Sequence, residues 1–134
     1  MICIYCGSKT RVSNSRAQKK TNQTWRRRKC LDCNGVFTSS EAVDFSSSLL
    51  YQRDANHVEP LSRDKLYISV YKACQHRKNA VSDATALTST IIGKLMPKVR
   101  QASLQRNDII SVTSEVLNRL DKAASVQYTA YHPL

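Results

Sequence analysis

Two pairs of cysteines carry the strongest chemical signal in the chain. Cys3 and Cys6 lie at the N-terminus, and Cys30 and Cys33 follow the cationic run Arg26–Lys29. A two-residue spacer lets both sulfurs of a pair face into one turn, and four thiolates can bind zinc tetrahedrally at about 2.3 Å. The spacing therefore predicts one structural Zn²⁺ ion bound by these four cysteines. Two disulfides, or isolated thiols that pack as small apolar groups, are the alternatives.

The positive charge of the chain is concentrated around these cysteines. The sequence has 134 residues and a formal net charge of +11. Residues 1–31 contain no Asp or Glu and nine cations: Lys9, Arg11, Arg16, Lys19, Lys20, Arg26, Arg27, Arg28 and Lys29. Residues 47–134 contain twelve cations and seven acids. Because a merely solvated surface usually mixes both signs, the acid-free cluster predicts binding to a nucleic acid backbone.

An extended segment before the second cysteine pair is predicted to present these cations. β-prone Thr24 and Trp25 begin the segment, and a two-stranded ribbon can enter the major groove of DNA. The candidate DNA-binding residues are Arg11, Arg16, Trp25, Arg26, Arg27, Arg28 and Lys29. Strand alternation separates Trp25, Arg27 and Lys29 from the two remaining arginines of the run. We expect Trp25 to pack in the ribbon core rather than to stack on a base, and the pattern does not separate base contacts from phosphate contacts.

A serine-containing segment, Glu41–Ser48, is the predicted linker between two modules. We place the boundary after residue 46, which gives domains over residues 1–46 and 47–134. The first is too small to fold on an apolar core, so metal ligation is expected to supply most of its folding free energy. The sequence shows no apolar run of transmembrane length and no signal peptide. We therefore expect a cytosolic chain with reduced thiols.

The second domain is predicted to be a hairpin followed by helices. A strand over Ser48–Arg53 is followed by a turn-like Asp-Ala-Asn sequence. Ser62 is the candidate N-cap of a first helix, Arg63–Arg77, on which Cys74 lies on the apolar stripe as a core residue. A second helix is predicted to be capped by Ser82 and ended by Pro97, and two more cover residues 107–120 and 121–131. The predicted fold class is α+β, with a small N-terminal β zinc ribbon before this hairpin and its roughly four helices.

Several short motifs in the N-terminal part follow one known pattern. The matching residues are Cys3-x-x-Cys6, Asn14-Ser15-Arg16, Arg26-Arg27-Arg28-Lys29-Cys30, Cys33, Phe37-Thr38 and Glu41. In these motifs, and over nearly its whole length, the chain resembles the NrdR family of bacterial transcriptional repressors of ribonucleotide reductase genes. That family joins a zinc ribbon to an ATP-cone domain. The resemblance implies four zinc ligands and a ribbon that binds double-stranded promoter DNA.

The second domain resembles the family's ATP-cone but departs from it at Gln52, at Ala55 and in a hairpin that is one residue longer before Glu59. The opening motif, typically Val-x-Lys-Arg-Asp-Gly, reads Leu50-Tyr51-Gln52-Arg53-Asp54-Ala55 here. The residues that the resemblance assigns to ATP or dATP are Gln52, Arg53, Asp54, Glu59, Ser62 and Lys65, with Glu59 at the adenine side and Lys65 at the phosphates. Because Gln52 replaces a phosphate-contacting lysine, we expect weaker binding. A cone that has lost its nucleotide and only oligomerises is the alternative.

The resemblance implies an allosteric repressor rather than an enzyme. In the family, dATP is associated with repression and ATP with release, which requires that the two nucleotides favour different assemblies. We expect a homo-oligomeric, cytoplasmic, nucleoid-associated protein with no catalytic residues and no membrane partner. Two other functions stay open, a DNA-binding regulator with a nucleotide-free cone and an RNA-binding zinc-ribbon protein.

Overall fold

The computed structural model describes residues 1–132, and the chain divides into two compact units, Met1–Val43 and a unit that begins at Asp44. This division lies slightly before the predicted boundary after residue 46. The reason is that Phe45–Ser48 is a one-turn helix, α1, rather than part of a linker. Phe45 packs against the core of the second unit, which assigns the serine run to that unit.

The first unit is a three-stranded antiparallel sheet. Its strands are β1 (Thr10–Gln18), β2 (Gln23–Cys30) and β3 (Val36–Glu41), in the order β1-β2-β3. β1 includes the polar stretch from Asn14, which pairs with β2 as far as Gln18. A polar sequence can form this strand since nearly all of its side chains are exposed to solvent.

The buried core of this sheet is very small. It consists of Cys3, Cys30 and Phe37, so the Phe37 ring packs beside the cysteine turns. Trp25 is 48% exposed, and its predicted core role is wrong. The reason is strand parity, because Trp25 lies on the sheet face opposite to Phe37. So few buried side chains leave metal ligation as the main source of folding free energy for this unit.

The second unit combines a small sheet with helices. After α1 its elements are β4 (Leu50–Asp54), β5 (His57–Pro60), α2 (Arg63–Cys74), α3 (Ala80–Leu95), a 3₁₀ turn (Met96–Lys98), β6 (Ser103–Gln105), α4 (Arg106–Leu120) and α5 (Lys122–Tyr131). The hairpin and the four main helices confirm the predicted α+β class. β6 was not predicted, because three residues are too few to show alternation. It pairs parallel to β4 and gives the sheet order β5-β4-β6.

The helix starts show which capping predictions hold. The Ser62 hydroxyl accepts a 3.2 Å hydrogen bond from the Lys65 N–H, which confirms the N-cap of α2. Ser82 does not cap α3, which begins at Ala80 and contains Ser82 in its first turn. In the same turn, the Asp83 carboxylate accepts a 2.7 Å hydrogen bond from Arg77 Nε, which lies in the connection before α3.

The helices of the second unit enclose an apolar core. Its fully buried large apolar side chains are Val70, Cys74, Ile91, Leu95, Leu104 and Leu117. Cys74 is thus the predicted core residue, and burial raises the pKa of its thiol, which keeps it protonated at neutral pH. Across residues 1–132, no helix has both the length and the apolar composition that crossing a bilayer requires.

Candidate metal centre and nucleic-acid interface

The four candidate zinc ligands converge on one point. Their Sγ atoms all lie within 4.8 Å of one another. Cys3 Sγ is 3.7 Å from Cys33 Sγ, and Cys6 Sγ is 3.4 Å from Cys30 Sγ. Zinc–sulfur bonds of about 2.3 Å at tetrahedral angles place sulfurs roughly 3.8 Å apart, so this donor set fits Zn²⁺. A disulfide requires about 2.05 Å, and all five cysteines are free.

Two similar turns position the sulfurs. The residue after each pair has a positive φ, +77° at Gly7 and +59° at Asn34, which suits glycine and asparagine. Backbone N–H groups then donate to the sulfurs, from Tyr5 to Cys3 at 3.4 Å, from Asp32 to Cys30 at 3.4 Å and from Gly35 to Cys33 at 3.3 Å. These donors stabilise the thiolate form, which is the form that binds metal.

The ionisation of the thiols shows why a cation suits this cluster. Hydrogen bonds from the backbone and hydroxyl of Ser8 lower the pKa of the Cys6 thiol to about 6. At Cys33 the Gly35 N–H also acts to lower the pKa, but desolvation and the three neighbouring sulfurs raise it to about 12. Four thiols this close therefore cannot all ionise without a compensating positive charge. A bound Zn²⁺ ion would supply that charge and displace the remaining protons.

The sheet next to this centre separates its cations onto two faces. Strand pairing places Arg11 opposite Lys29 and Arg16 opposite Trp25. Arg27 lies on β2 between Trp25 and Lys29, two residues from each, so its side chain points to the same face. Directly opposed residues of antiparallel strands share a face. We call this set, Arg11, Arg16, Trp25, Arg27 and Lys29, the basic face.

A bulge in β1 brings two of these cations onto the same face. Arg11 and Arg16 are five positions apart, an odd offset that would point them to opposite faces of a regular strand. The register shifts between Val12 and Asn14, which leaves Ser13 as the extra residue. The Ser13 hydroxyl donates to the Arg27 carbonyl at 3.1 Å. The bulge thereby resets the alternation and aligns Arg11 with Arg16.

The other two arginines of the run lie on the opposite face and are bound within the sheet. Arg26 donates to Ser15 Oγ at 2.9 Å and forms a 3.1 Å ion pair with Glu41. Arg28 donates to Ser39 Oγ at 2.9 Å. Both are half-buried, whereas Arg11, Arg16, Trp25 and Arg27 are exposed. The structure thus places all seven candidate DNA-binding residues on one sheet but not on one surface.

The second unit contains a cleft where the resemblance placed a nucleotide. It has a volume of about 130 Å³ and lies between the hairpin, α2, α4 and α5. Three of the predicted residues line it, Glu59, Ser62 and Lys65. Lys65 Nζ is 3.3 Å from Glu59 Oε1, and the Lys65 side chain is largely accessible whereas that of Glu59 is partly buried.

The other three predicted residues do not line this cleft. Gln52 Oε1 accepts a hydrogen bond from the Gln105 side chain at 3.1 Å. Arg53 Nε lies 3.6 Å from Asp54 Oδ2, and the same carboxylate binds the His57 ring and the Asn56 N–H at the hairpin turn. The polar groups of Gln52, Arg53 and Asp54 are therefore bonded to neighbouring protein groups outside the cleft.

The cleft also contains residues that sequence reasoning missed. Arg106, Tyr51, Tyr128 and His132 line it together with apolar side chains. Arg106 begins α4 directly after β6, and the parallel pairing of β6 with β4 aligns Tyr51 with Leu104, two positions before Arg106. Because β6 has no signal in the sequence, no spacing rule could connect these residues.

Comparisons with known proteins match the first unit to one family model and nearly the whole chain to several relatives. Residues 1–41 match the zinc-ribbon family model described as "Transcriptional repressor NrdR-like, N-terminal domain". The transcriptional repressor NrdR of Symbiobacterium thermophilum is 31% identical over 137 residues, covering 98% of this chain and 87% of the relative. The repressor NrdR of Pelotomaculum thermopropionicum is also 31% identical, covering 98% and 79%. That of Finegoldia magna is 28% identical, covering 98% and 87%.

Proposed function

Because the chain belongs to the NrdR family of transcriptional repressors, we propose that it represses ribonucleotide reductase genes by binding their promoter DNA through the zinc ribbon. The observation that carries this proposal is a four-cysteine centre that fits zinc, built into a sheet with an acid-free cationic face. Zinc would fix the ends of β1 and β2, and the sheet would then present its cations as a rigid set. A rigid set of cations binds phosphates at a smaller cost in conformational entropy.

The second unit is proposed to bind ATP or dATP as a regulatory ligand. Lys65 and Arg106 supply two cations for phosphates, and the half-buried Tyr51 supplies aromatic surface beside them. At about 130 Å³ the cleft is smaller than most ligand pockets, which span roughly 300–1,000 Å³. A whole nucleotide would thus extend beyond it, with the phosphates at the open side near Lys65.

Regulation is proposed to act through assembly. A ligand shifts an equilibrium between oligomers only if it binds one of them more tightly, so ATP and dATP must differ in that preference. An oligomer that spaces its ribbons to match paired sites on DNA would gain affinity through effective concentration. This role places the protein in the cytoplasm with the nucleoid, as a regulator rather than an enzyme.

One observation favours a second candidate function. The family's phosphate-contacting lysine is Gln52 here, and its side chain bonds to Gln105 instead of lining the cleft. A zinc-dependent DNA-binding regulator whose second unit binds no nucleotide would fit this arrangement. It differs from the leading proposal in one measurable respect, since its DNA affinity would not respond to ATP or dATP.

A competition experiment tests the proposal. Zinc-loaded protein is bound to a labelled duplex from the region upstream of the source organism's ribonucleotide reductase genes. It is then challenged with unlabelled duplex or with structured RNA, each with and without dATP. We expect the duplex to compete better than the RNA and dATP to raise the duplex affinity. A preference for RNA would replace the proposal with RNA binding, and indifference to dATP would replace it with the nucleotide-free regulator.

A further inference from the structure

We infer that the basic face alone contacts the DNA duplex, with Trp25 as a contact residue, and that Arg26 and Arg28 stabilise the sheet instead. This inference rests on the proposed DNA-binding function and divides the roles of the ribbon residues within it.

The first support is the availability of the cationic groups. Among residues 1–132, Arg11, Arg16 and Lys29 form no ion pair with a carboxylate, and Arg27 bonds only to the neutral hydroxyl of Thr38 at 3.2 Å. Arg26, in contrast, is bound to Glu41, so moving it to a phosphate would leave that carboxylate unpaired close to another anion. Phosphate binding therefore costs less at these four cations than at Arg26. Arg28 also bonds to a neutral hydroxyl, that of Ser39 at 2.9 Å, but it is half-buried on the opposite face whereas Arg27 is exposed.

The second support is the spacing of the cations. Arg27 and Lys29 are two residues apart on one strand, which separates their Cα atoms by roughly 6.7 Å. Arg11 and Arg16 occupy the neighbouring strand, at roughly 4.8 Å from β2. Only the bulge at Ser13 makes this four-cation patch possible, and bulges commonly re-aim side chains next to functional sites.

The third support is the exposed aromatic ring among these cations. Trp25 is the chain's only tryptophan, and it is 48% exposed on the basic face, directly opposite Arg16. A large ring left accessible beside cations is suited to contact with sugar or base edges, and packing within the ribbon does not account for it. Because the ring is unique in the sequence, its fluorescence reports on the basic face directly.

The test compares adjacent arginines of β2 in the full-length, zinc-loaded protein. Affinity for a mixed-sequence duplex is measured by anisotropy at several salt concentrations for wild type, Arg27→Ala, Arg28→Ala and Arg28→Gln. Zinc content and melting temperature confirm that each variant is folded.

We expect Arg27→Ala to weaken binding roughly tenfold near 0.1 M salt and to lower the slope of log K against log [salt] by about 0.9. Either folded Arg28 variant is expected to keep the wild-type slope, and the duplex to change Trp25 fluorescence and protect it from iodide.

The contrary results separate the inference from the function on which it rests. If Arg28 variants lose as much affinity and slope as Arg27→Ala, or if Trp25 stays open to iodide in the complex, the face assignment is overturned while DNA binding stands. If the wild-type protein fails to bind the duplex at low salt, the proposed function is itself wrong and the inference is overturned with it.

Discussion

The cleft proposed to bind nucleotide is lined by two cations that are far apart in the sequence, Lys65 at the start of α2 and Arg106 at the start of α4. A charge-assisted hydrogen bond to phosphate is worth about 1.5–3 kcal/mol. We therefore expect Lys65→Ala or Arg106→Ala to weaken ATP binding roughly ten- to a hundredfold by calorimetry. Lys94→Ala is the matched control, because Lys94 pairs with Glu115 and does not line the cleft. Equal affinity in all three variants would place the nucleotide elsewhere.

Individual residues differ in how far the sequence could assign them. The four zinc ligands follow from spacing alone, since two Cys-x-x-Cys pairs leave few chemical alternatives. Arg106 could not be assigned, because its place depends on a three-residue strand pairing with β4. Trp25 was assigned wrongly, because its type suggested a core residue whereas its position on the strand directs it to solvent.

At the scale of elements, the turn after the second cysteine pair depends on a glycine. A Cβ added at Gly35 would lie 2.5 Å from Tyr5 Cδ2 and 3.1 Å from Cys33 Sγ. Gly35→Ala should therefore distort the turn and weaken zinc binding by about 1 kcal/mol, or roughly fivefold, because the exposed Tyr5 ring can partly move away. Competition with a chromogenic chelator measures this change. Adding Tyr5→Ala to Gly35→Ala should restore most of the affinity, and a double variant as weak as the single one would contradict the steric explanation.

The junction of α2, α3 and α5 depends on one carboxylate. Asp121 Oδ2 lies 2.7 Å from His76 Nε2 and 3.0 Å from Arg77 NH1, and Asp121 Oδ1 accepts from the Ala123 N–H at 2.9 Å as the N-cap of α5. The hydrogen bond from His76, followed by that from Arg77, lowers the pKa of Asp121 far below its ordinary value. Its stabilisation is thus complete above the unfolded pKa, about 4, and is lost as the pH falls further.

Two variants separate the charge of Asp121 from its cap. Asn keeps a capping oxygen but removes the charge, so Asp121→Asn should lower the melting temperature at pH 7 and flatten its dependence on pH below about 4. Asp121→Ala should melt lower still, since it also loses the cap. Helical circular dichroism follows the second unit, because the described helices all lie there. An unchanged pH profile in Asp121→Asn would show that another group controls acid unfolding.

Elements with a long apolar periodicity were predicted well, and strands that form only by pairing with a neighbouring strand were predicted poorly. α4 lies close to the predicted helix, because an apolar stripe over three turns is hard to mistake. The extent of β1 could not be predicted, since its polar sequence shows no alternation and forms a strand by pairing with β2. The bulge at Ser13 has no sequence signal, yet it determines which cations share a face.

For the whole molecule, we expect nucleotide binding to change the oligomeric assembly. Adding dATP to zinc-loaded protein should shift its elution on a sizing column relative to the nucleotide-free protein. Lys65→Ala should need a higher dATP concentration for the same shift, since it weakens dATP binding in the cleft and changes no residue of the ribbon. An identical elution profile with dATP demonstrably bound would separate nucleotide binding from assembly and contradict the allosteric part of the proposal.

The most direct test of the account is the zinc dependence of DNA binding. Anisotropy of a labelled promoter duplex is followed with full-length protein in the presence of dATP, first zinc-loaded, then after chelation under reducing conditions, then after zinc is returned. We expect chelation to weaken binding roughly tenfold or more and returned zinc to restore it, because the basic face needs the metal to keep its shape. A metal-free chain that remains folded and binds the duplex as tightly as the zinc-loaded chain would contradict it.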